Sequence, residues 1–147
     1  MKKIAVIVLV LLLAAAMILG CSSSKASSKM EGKEITFEYK AYTRGSNLSY
    51  VVTKDSVVHK EDMRGEVTTY KDKMVAEDWD VLLAATEKID MAKLETAEVP
   101  SKKHQFDGAL AATLKIMIDG KEYRTPTFDH GNPPLEVKEL VTTITGL

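Results

Sequence analysis

The sequence predicts an α+β fold: an antiparallel sheet of about six strands with two amphipathic helices on one face, in the order ββββ-α-ββ-α. Three observations predict it. Apolar residues alternate with polar ones in short runs between Ile35 and Lys71, the period lengthens between Ala76 and Ile89, and both patterns recur between Leu110 and Ile144. Strict alternation marks a half-buried strand, and apolar residues three and four apart mark one face of a helix. An antiparallel sheet with helices gathered on one face satisfies both periods.

Ile35-Thr-Phe37-Glu-Tyr39-Lys-Ala41 is the first strand, with Tyr39 inward beside Ile35 and Phe37 and Tyr42 outward. Arg44-Gly45-Ser46-Asn47 is a turn. Leu48 to Thr53 is the second strand, Lys54-Asp55 a tight reversal, and Val57-Val58-His59 a short third strand. After Met63-Arg64-Gly65, residues Glu66 to Lys71 form a fourth strand rich in Val, Thr and Tyr. Connections this short make the four antiparallel neighbours.

Trp79, Leu82, Leu83, Thr86 and Ile89 then share one helical face, predicting a helix from about Ala76 to Lys88 or Ile89. Glu77 and Asp78 sit in its first turn, where carboxylates favour the helix dipole. Thr96 to Asp107 reads as a polar loop containing Pro100. Leu110, Ala112, Leu114, Ile116 and Ile118 form the most regular strand, and Asp119-Gly120 is a two-residue hairpin turn. Lys121 to Phe128 returns, with Pro126 marking an edge or an end because it has no N–H to give a ladder. Asn132-Pro133-Pro134 opens the last helix, with Asn as cap and Val137, Leu140, Val141 and Ile144 as its stripe.

Ahead of this domain the chain divides twice. Lys2 and Lys3 precede sixteen uncharged apolar residues, Ile4 to Leu19, and then Gly20 and Cys21. A positive start, an apolar middle and a small-residue zone define a secretory signal. At ~1.5 Å per residue the run spans roughly 24 Å as a helix, short of a ~30 Å hydrocarbon core. Residues 1–20 are therefore expected to be a signal peptide. Residues 21–32, with Ser-Ser-Ser-Lys-Ala-Ser-Ser-Lys after the cysteine, form a flexible linker too polar to order itself. Residues 33–147 form the single domain.

Ile18-Leu19-Gly20-Cys21 resembles the lipobox of bacterial lipoproteins with a type II signal peptide, with Ile18 where Leu is usual. The resemblance implies cleavage before Cys21, a diacylglyceryl thioether on its sulfur and a third acyl chain on its amino group. It also implies a lipid-anchored location in a bacterial cell envelope, and Ser22 after the cysteine points to the outer membrane. Two acyl chains already anchor stably. Cys21 is the only cysteine, so the domain holds together by packing and not by an internal disulfide. The element order, with Asp-Gly in the hairpin and Gly-x-Pro-Pro before the last helix, is similar to small envelope lipoproteins carrying a domain of unknown function. That resemblance brings no catalytic residues.

Composition excludes some partners. The chain has 20 Lys+Arg and 21 Asp+Glu; loss of Lys2 and Lys3 leaves 18 against 21, a net charge of −3. Such a balance gives no electrostatic footprint for nucleic acid. The sequence shows no solenoid repeat, no Gly-rich phosphate loop and no CxxC.

One polar cluster carries chemistry. If Asp119-Gly120 is the turn, Ile118 faces Lys121, Leu110 faces Asp129, Ala109 faces His130 and Asp107 faces Asn132. The open end of the hairpin then gathers His104, Asp107, Asp129 and His130, with Gly108 and Gly131 marking tight backbone paths. Imidazole and carboxylate are zinc ligands and also general bases. The spacing matches no ligand or nucleophile motif, and Ser101 nearby makes no triad by itself. Asp107 and Asp129 also fit a structural part, accepting backbone N–H groups at turns.

No cofactor is therefore expected, with zinc the one that the alternative would need. The leading functional expectation is a lipid-anchored binding or structural module, not an enzyme, with another envelope protein or a glycan as partner. The alternatives are metal binding or a metal-dependent activity at His104/Asp107/Asp129/His130, and inhibition of an envelope enzyme.

Overall fold

The computed structural model describes residues 29–147. The expected signal peptide, Cys21 and most of the expected linker lie outside the described residues. The fold is α+β. Strands β1 (Ile35–Thr43), β2 (Ser46–Thr53), β3 (Ser56–Met63) and β4 (Glu66–Lys73) follow one another. Helix α1 (Ala76–Glu87) comes next, then 3-10 turns at Leu94–Thr96 and Lys103–Phe106. Strands β5 (Ala111–Ile118), β6 (Lys121–Arg124) and β7 (Phe128–Asp129) lead through a 3-10 turn at Leu135–Val137 into helix α2 (Lys138–Thr145). All pairings are antiparallel. The sheet runs β4-β3-β2-β1-β5-β6, with β7 also on β5.

The sheet has seven strands where about six were expected, because the return from the Asp119-Gly120 turn breaks in two. Ile118 faces Lys121 as expected, and the register holds to Lys115 opposite Arg124. At Thr125 the side chain enters the ladder. Its N–H donates to the Leu114 carbonyl at 3.0 Å, and its hydroxyl oxygen accepts the Leu114 N–H at 3.0 Å. Pro126 follows, with no N–H. Pairing resumes one residue later, with Ala112 opposite Phe128 and Ala111 opposite Asp129. Asp129 therefore faces Ala111, not Leu110, and the Leu110 carbonyl accepts the His130 N–H at 2.9 Å.

The core lies between one face of the sheet and the helices. Ile35, Phe37, Tyr39 and Ala41 of β1 and Ala112, Leu114, Ile116 and Ile118 of β5 are buried, as period-two alternation requires. α1 contributes Trp79, Leu82, Leu83 and Thr86, with Trp79 edge-on to Phe37 at 5.9 Å between centroids. The Thr86 hydroxyl is satisfied by the Leu82 carbonyl, which lets a polar residue sit on the buried stripe. α2 adds Leu140, Val141 and Ile144. Lys88 at the end of α1 joins Glu139 of α2 at 2.7 Å.

The last helix begins later than Asn132-Pro133-Pro134 suggests. Pro133 and Pro134 are buried ahead of the 3-10 turn, and Val137 holds the cap position without a side-chain bond. Asn132 is used elsewhere. Among the described residues no helix is long and apolar enough to cross a membrane.

The opposite face of the sheet is polar. Lys115 bonds Glu38 at 2.8 Å, and Lys40, Glu122 and Arg124 extend the network. The hydrogen bond from Lys115 outweighs desolvation and, with the nearby positive charge, holds the Glu38 carboxyl below the usual range.

Candidate functional site

The helices cover the middle of the sheet and leave one side of it bare. Buried positions thin out from β2 to β3, where Val57 is the last, and all eight residues of β4 are exposed. The β3–β4 hairpin overhangs the body of the molecule. Three two-residue turns set its register: Arg44-Gly45, Lys54-Asp55 and Arg64-Gly65 place Tyr39 opposite Tyr50, Tyr50 opposite His59, and His59 opposite Tyr70. The result is an aromatic row on the helix-facing side. His59 stacks on Tyr50 at 4.2 Å with rings 4° from parallel, and on Tyr70 at 5.6 Å. Tyr50 meets Tyr39 at 6.4 Å, and the Tyr39 hydroxyl meets His130 Nδ1 at 2.7 Å.

The row runs from solvent into the core. Tyr70 is exposed, Tyr50 nearly covered and Tyr39 fully buried. Burial, with Tyr50 beside it, pushes the Tyr39 hydroxyl well above the ordinary tyrosine range, and burial together with Glu61 raises Tyr50. Next to the outer end lies a cavity of about 370 Å³ lined by Val57, His59, Glu61, Tyr70, Asp72 and Leu147. His59 Nε2 lies 3.4 Å from Glu61 Oε1, yet it has no hydrogen-bond partner among the described residues. Tyr42, expected outward, is exposed on the other face, so the tyrosines of this chain do not form one outward row.

The polar cluster expected at the open end of the β5–β6 hairpin divides into two pairs. Successive strand residues point to opposite faces. Phe128 and His130 both lie against Tyr39, and Asp129 between them points the other way. Asp129 is buried and accepts four hydrogen bonds: from the Ser101 hydroxyl, from the backbone N–H of Lys103 at 3.0 Å, and from the backbone N–H and ring Nδ1 of His104 at 2.8 and 2.6 Å. Burial pushes its carboxyl up, but the Ser101, His104 and Lys103 donors together hold it well below the usual carboxylate range. Asn132 donates to Ser101 at 3.1 Å and closes the clasp.

Asp107 stands apart from both pairs. It ends the 103–106 turn, exposed and left-handed at φ 55°, and does not face Asn132. The one-residue shift at Thr125–Pro126 and the tight turn at Lys103–Phe106 are the reasons. Both glycines of the cluster mark tight paths, as expected. A Cβ on Gly108 would meet the Lys103 backbone at 3.3 Å, and Gly131 has φ 82° in the turn from Asp129 to Asn132. Among the described residues no three His, Cys, Asp or Glu side chains converge to hold a metal ion. His104 and Asp129 instead spend their facing atoms on each other. Ser101 and Asn132 enter the clasp through donors that carry no sequence motif.

A scan against protein-family models and searches of curated proteins and of solved structures found no match for this chain.

Proposed function

We propose that this chain is a lipid-anchored binding module of a bacterial envelope, held to a membrane through Cys21 and working through a surface. The observation that carries the binding part is the overhanging β3–β4 hairpin with its aromatic row. Tyr70, the exposed outer ring of the row, backed by the half-buried His59, offers apolar contact area at low entropic cost, and tyrosine is favoured at interfaces. The adjoining cavity combines Val57 and Leu147 with the carboxylates of Glu61 and Asp72 and the ring of His59. That chemistry suits an envelope protein presenting a basic side chain better than a neutral glycan. The anchor is supported by the lone cysteine directly after Ile4–Gly20 and by the serine-rich spacer that follows it.

The test has two parts. Mass spectrometry of the mature protein is expected to find an acylated Cys21 at the amino terminus; an intact Met1 start or a free thiol overturns the anchor. Cross-linked pull-downs from envelopes are then compared between the wild type and Asp72→Lys. A partner captured by the wild type and lost by the variant supports the assignment. Equal capture places binding elsewhere on the molecule.

A further inference from the structure

We infer that β4 is a self-pairing edge, and that two copies of this chain join there into one continuous antiparallel sheet. The inference rests on β4 alone. Failure of the pairing leaves the anchored binding module standing, and an unmodified Cys21 leaves the pairing standing.

The two edges of the sheet differ. β6 has four residues and runs into Thr125-Pro126, a short and blunted edge. β4 has no proline and eight residues, every one of them exposed, Val67 and Tyr70 included, and only its Asp72–Lys73 end comes near the close of α2. A hairpin without packing is marginal in water. A strand on its free side would supply what the helices do not reach.

The register follows from the hydrogen bonds. The two-residue turn at Arg64-Gly65 makes Met63 and Glu66 a hydrogen-bonded pair. Along β4, Glu66, Thr68, Tyr70 and Asp72 therefore spend their N–H and C=O groups on β3, as the Met74 N–H to the Asp55 carbonyl also shows. Those of Val67, Thr69, Lys71 and Lys73 point outward. Two copies related by a two-fold axis can pair only outward residues with outward residues. Setting Tyr70 opposite Tyr70 of the second copy uses all four, pairing Val67 with Lys73 and Thr69 with Lys71 in both directions. Sliding one way sets Thr69 on Thr69, loses a pair and places Glu66 opposite Asp72. Sliding the other way sets Lys71 opposite Lys71. Like charges directly opposite are destabilising, so the central register is the favoured one. It also brings the two Tyr70 rings together across a non-hydrogen-bonded pair, where side chains are closest, and joins the two aromatic rows end to end.

The experiment uses the full-length chain in mild detergent. In a Cys21→Ser background, Tyr70→Cys, Thr69→Cys and Lys71→Cys are oxidised gently. Only position 70 faces itself at a separation that a disulfide can close. Tyr70→Cys is expected to cross-link at least about tenfold faster than the other two. Equal rates, or a maximum at 69 or 71, overturn the register. Sedimentation equilibrium of Thr69→Glu and Thr69→Lys gives a second reading that does not depend on the Tyr70 ring. Residue 69 is exposed in the single chain and faces Lys71 twice in the pair. Glu is expected to tighten dimerisation by roughly tenfold and Lys to weaken it by a similar factor. Identical association of the two variants, or a monomer for both, sinks the inference.

Discussion

Asp129 holds three segments together at once: the strand end that carries it, the Ser101–His104 stretch, and the turn to Asn132. Its depressed pKa turns that clasp into a pH dependence. A folded-state pKa below the unfolded one contributes stability that is complete above the ordinary aspartate value of about 3.9 and is lost as pH falls through the folded pKa. The urea midpoint of the wild type is expected to drop steadily below about pH 4, and Asp129→Asn is expected to lower the midpoint at neutral pH and flatten the acid limb. An unchanged acid limb in the variant would show that other carboxylates set it. Asp107 is the control. It is exposed, and its left-handed backbone suits Asn equally well, so Asp107→Asn is expected to change stability by less than about 0.5 kcal/mol in the same titration. The sequence names both aspartates, but only the local register separates them. That register turns on the Thr125 hydroxyl replacing a backbone partner ahead of Pro126, a substitution of side chain for main chain that alternation does not announce.

At the scale of elements, α1 and β4 lie at opposite ends of the stability range. Leu82 is fully buried on the α1 stripe, and Leu82→Ala is expected to cost about 2–5 kcal/mol in denaturant unfolding. β4 buries nothing. Its hydrogen bonds to β3 are the only ordered pairing that its own strand registers on the described residues. Amides of Thr68, Tyr70 and Asp72 are expected to exchange with deuterium through local opening, orders of magnitude sooner than those of Phe37 or Leu114 in the centre of the sheet. Exchange of both sets at one common rate would mean that the hairpin opens only with the whole domain. Element boundaries were legible where turn chemistry is strong. Asp119-Gly120, Arg64-Gly65 and Lys54-Asp55 all stand where the sequence puts turns. The aromatic row is not among the sequence expectations, although two-residue turns in the first three hairpins are the signal that aligns Tyr39, Tyr50, His59 and Tyr70. What alternation cannot give is that the helices stop short of β3 and β4, because alternation says which face a residue occupies and not how far its cover extends. β4 itself does not alternate: Val67 and Tyr70, three apart, fall on opposite faces, and every residue of the strand is exposed.

For the whole molecule, the sheet-and-two-helix architecture follows from period alone, and the core it encloses begins almost at once. Ile35 is buried, and Met30, five residues earlier within the expected linker, is partly buried against the same core. Its N–H also donates to Glu87 Oε1 of α1 at 3.3 Å. The chain therefore touches the end of α1 before it enters β1, and the Lys33 N–H bonds back to the Met30 carbonyl at 3.2 Å to make that turn. The apolar surface that Met30 covers, at ~25 cal/mol per Å², corresponds to roughly 1 kcal/mol for half of a methionine side chain. A soluble form starting at Lys29 is expected to unfold about 1 kcal/mol later in urea than one starting at Lys33, with the same denaturant slope, because both enclose the same core. Met30→Ala in the longer form is expected to abolish most of that gain. Should the two forms unfold together, Met30 rests on the domain without holding it, and the spacer reaches fully to Glu34. Should the longer form gain and the Ala variant keep that gain, the backbone bond to Glu87 carries the effect and the thioether does not.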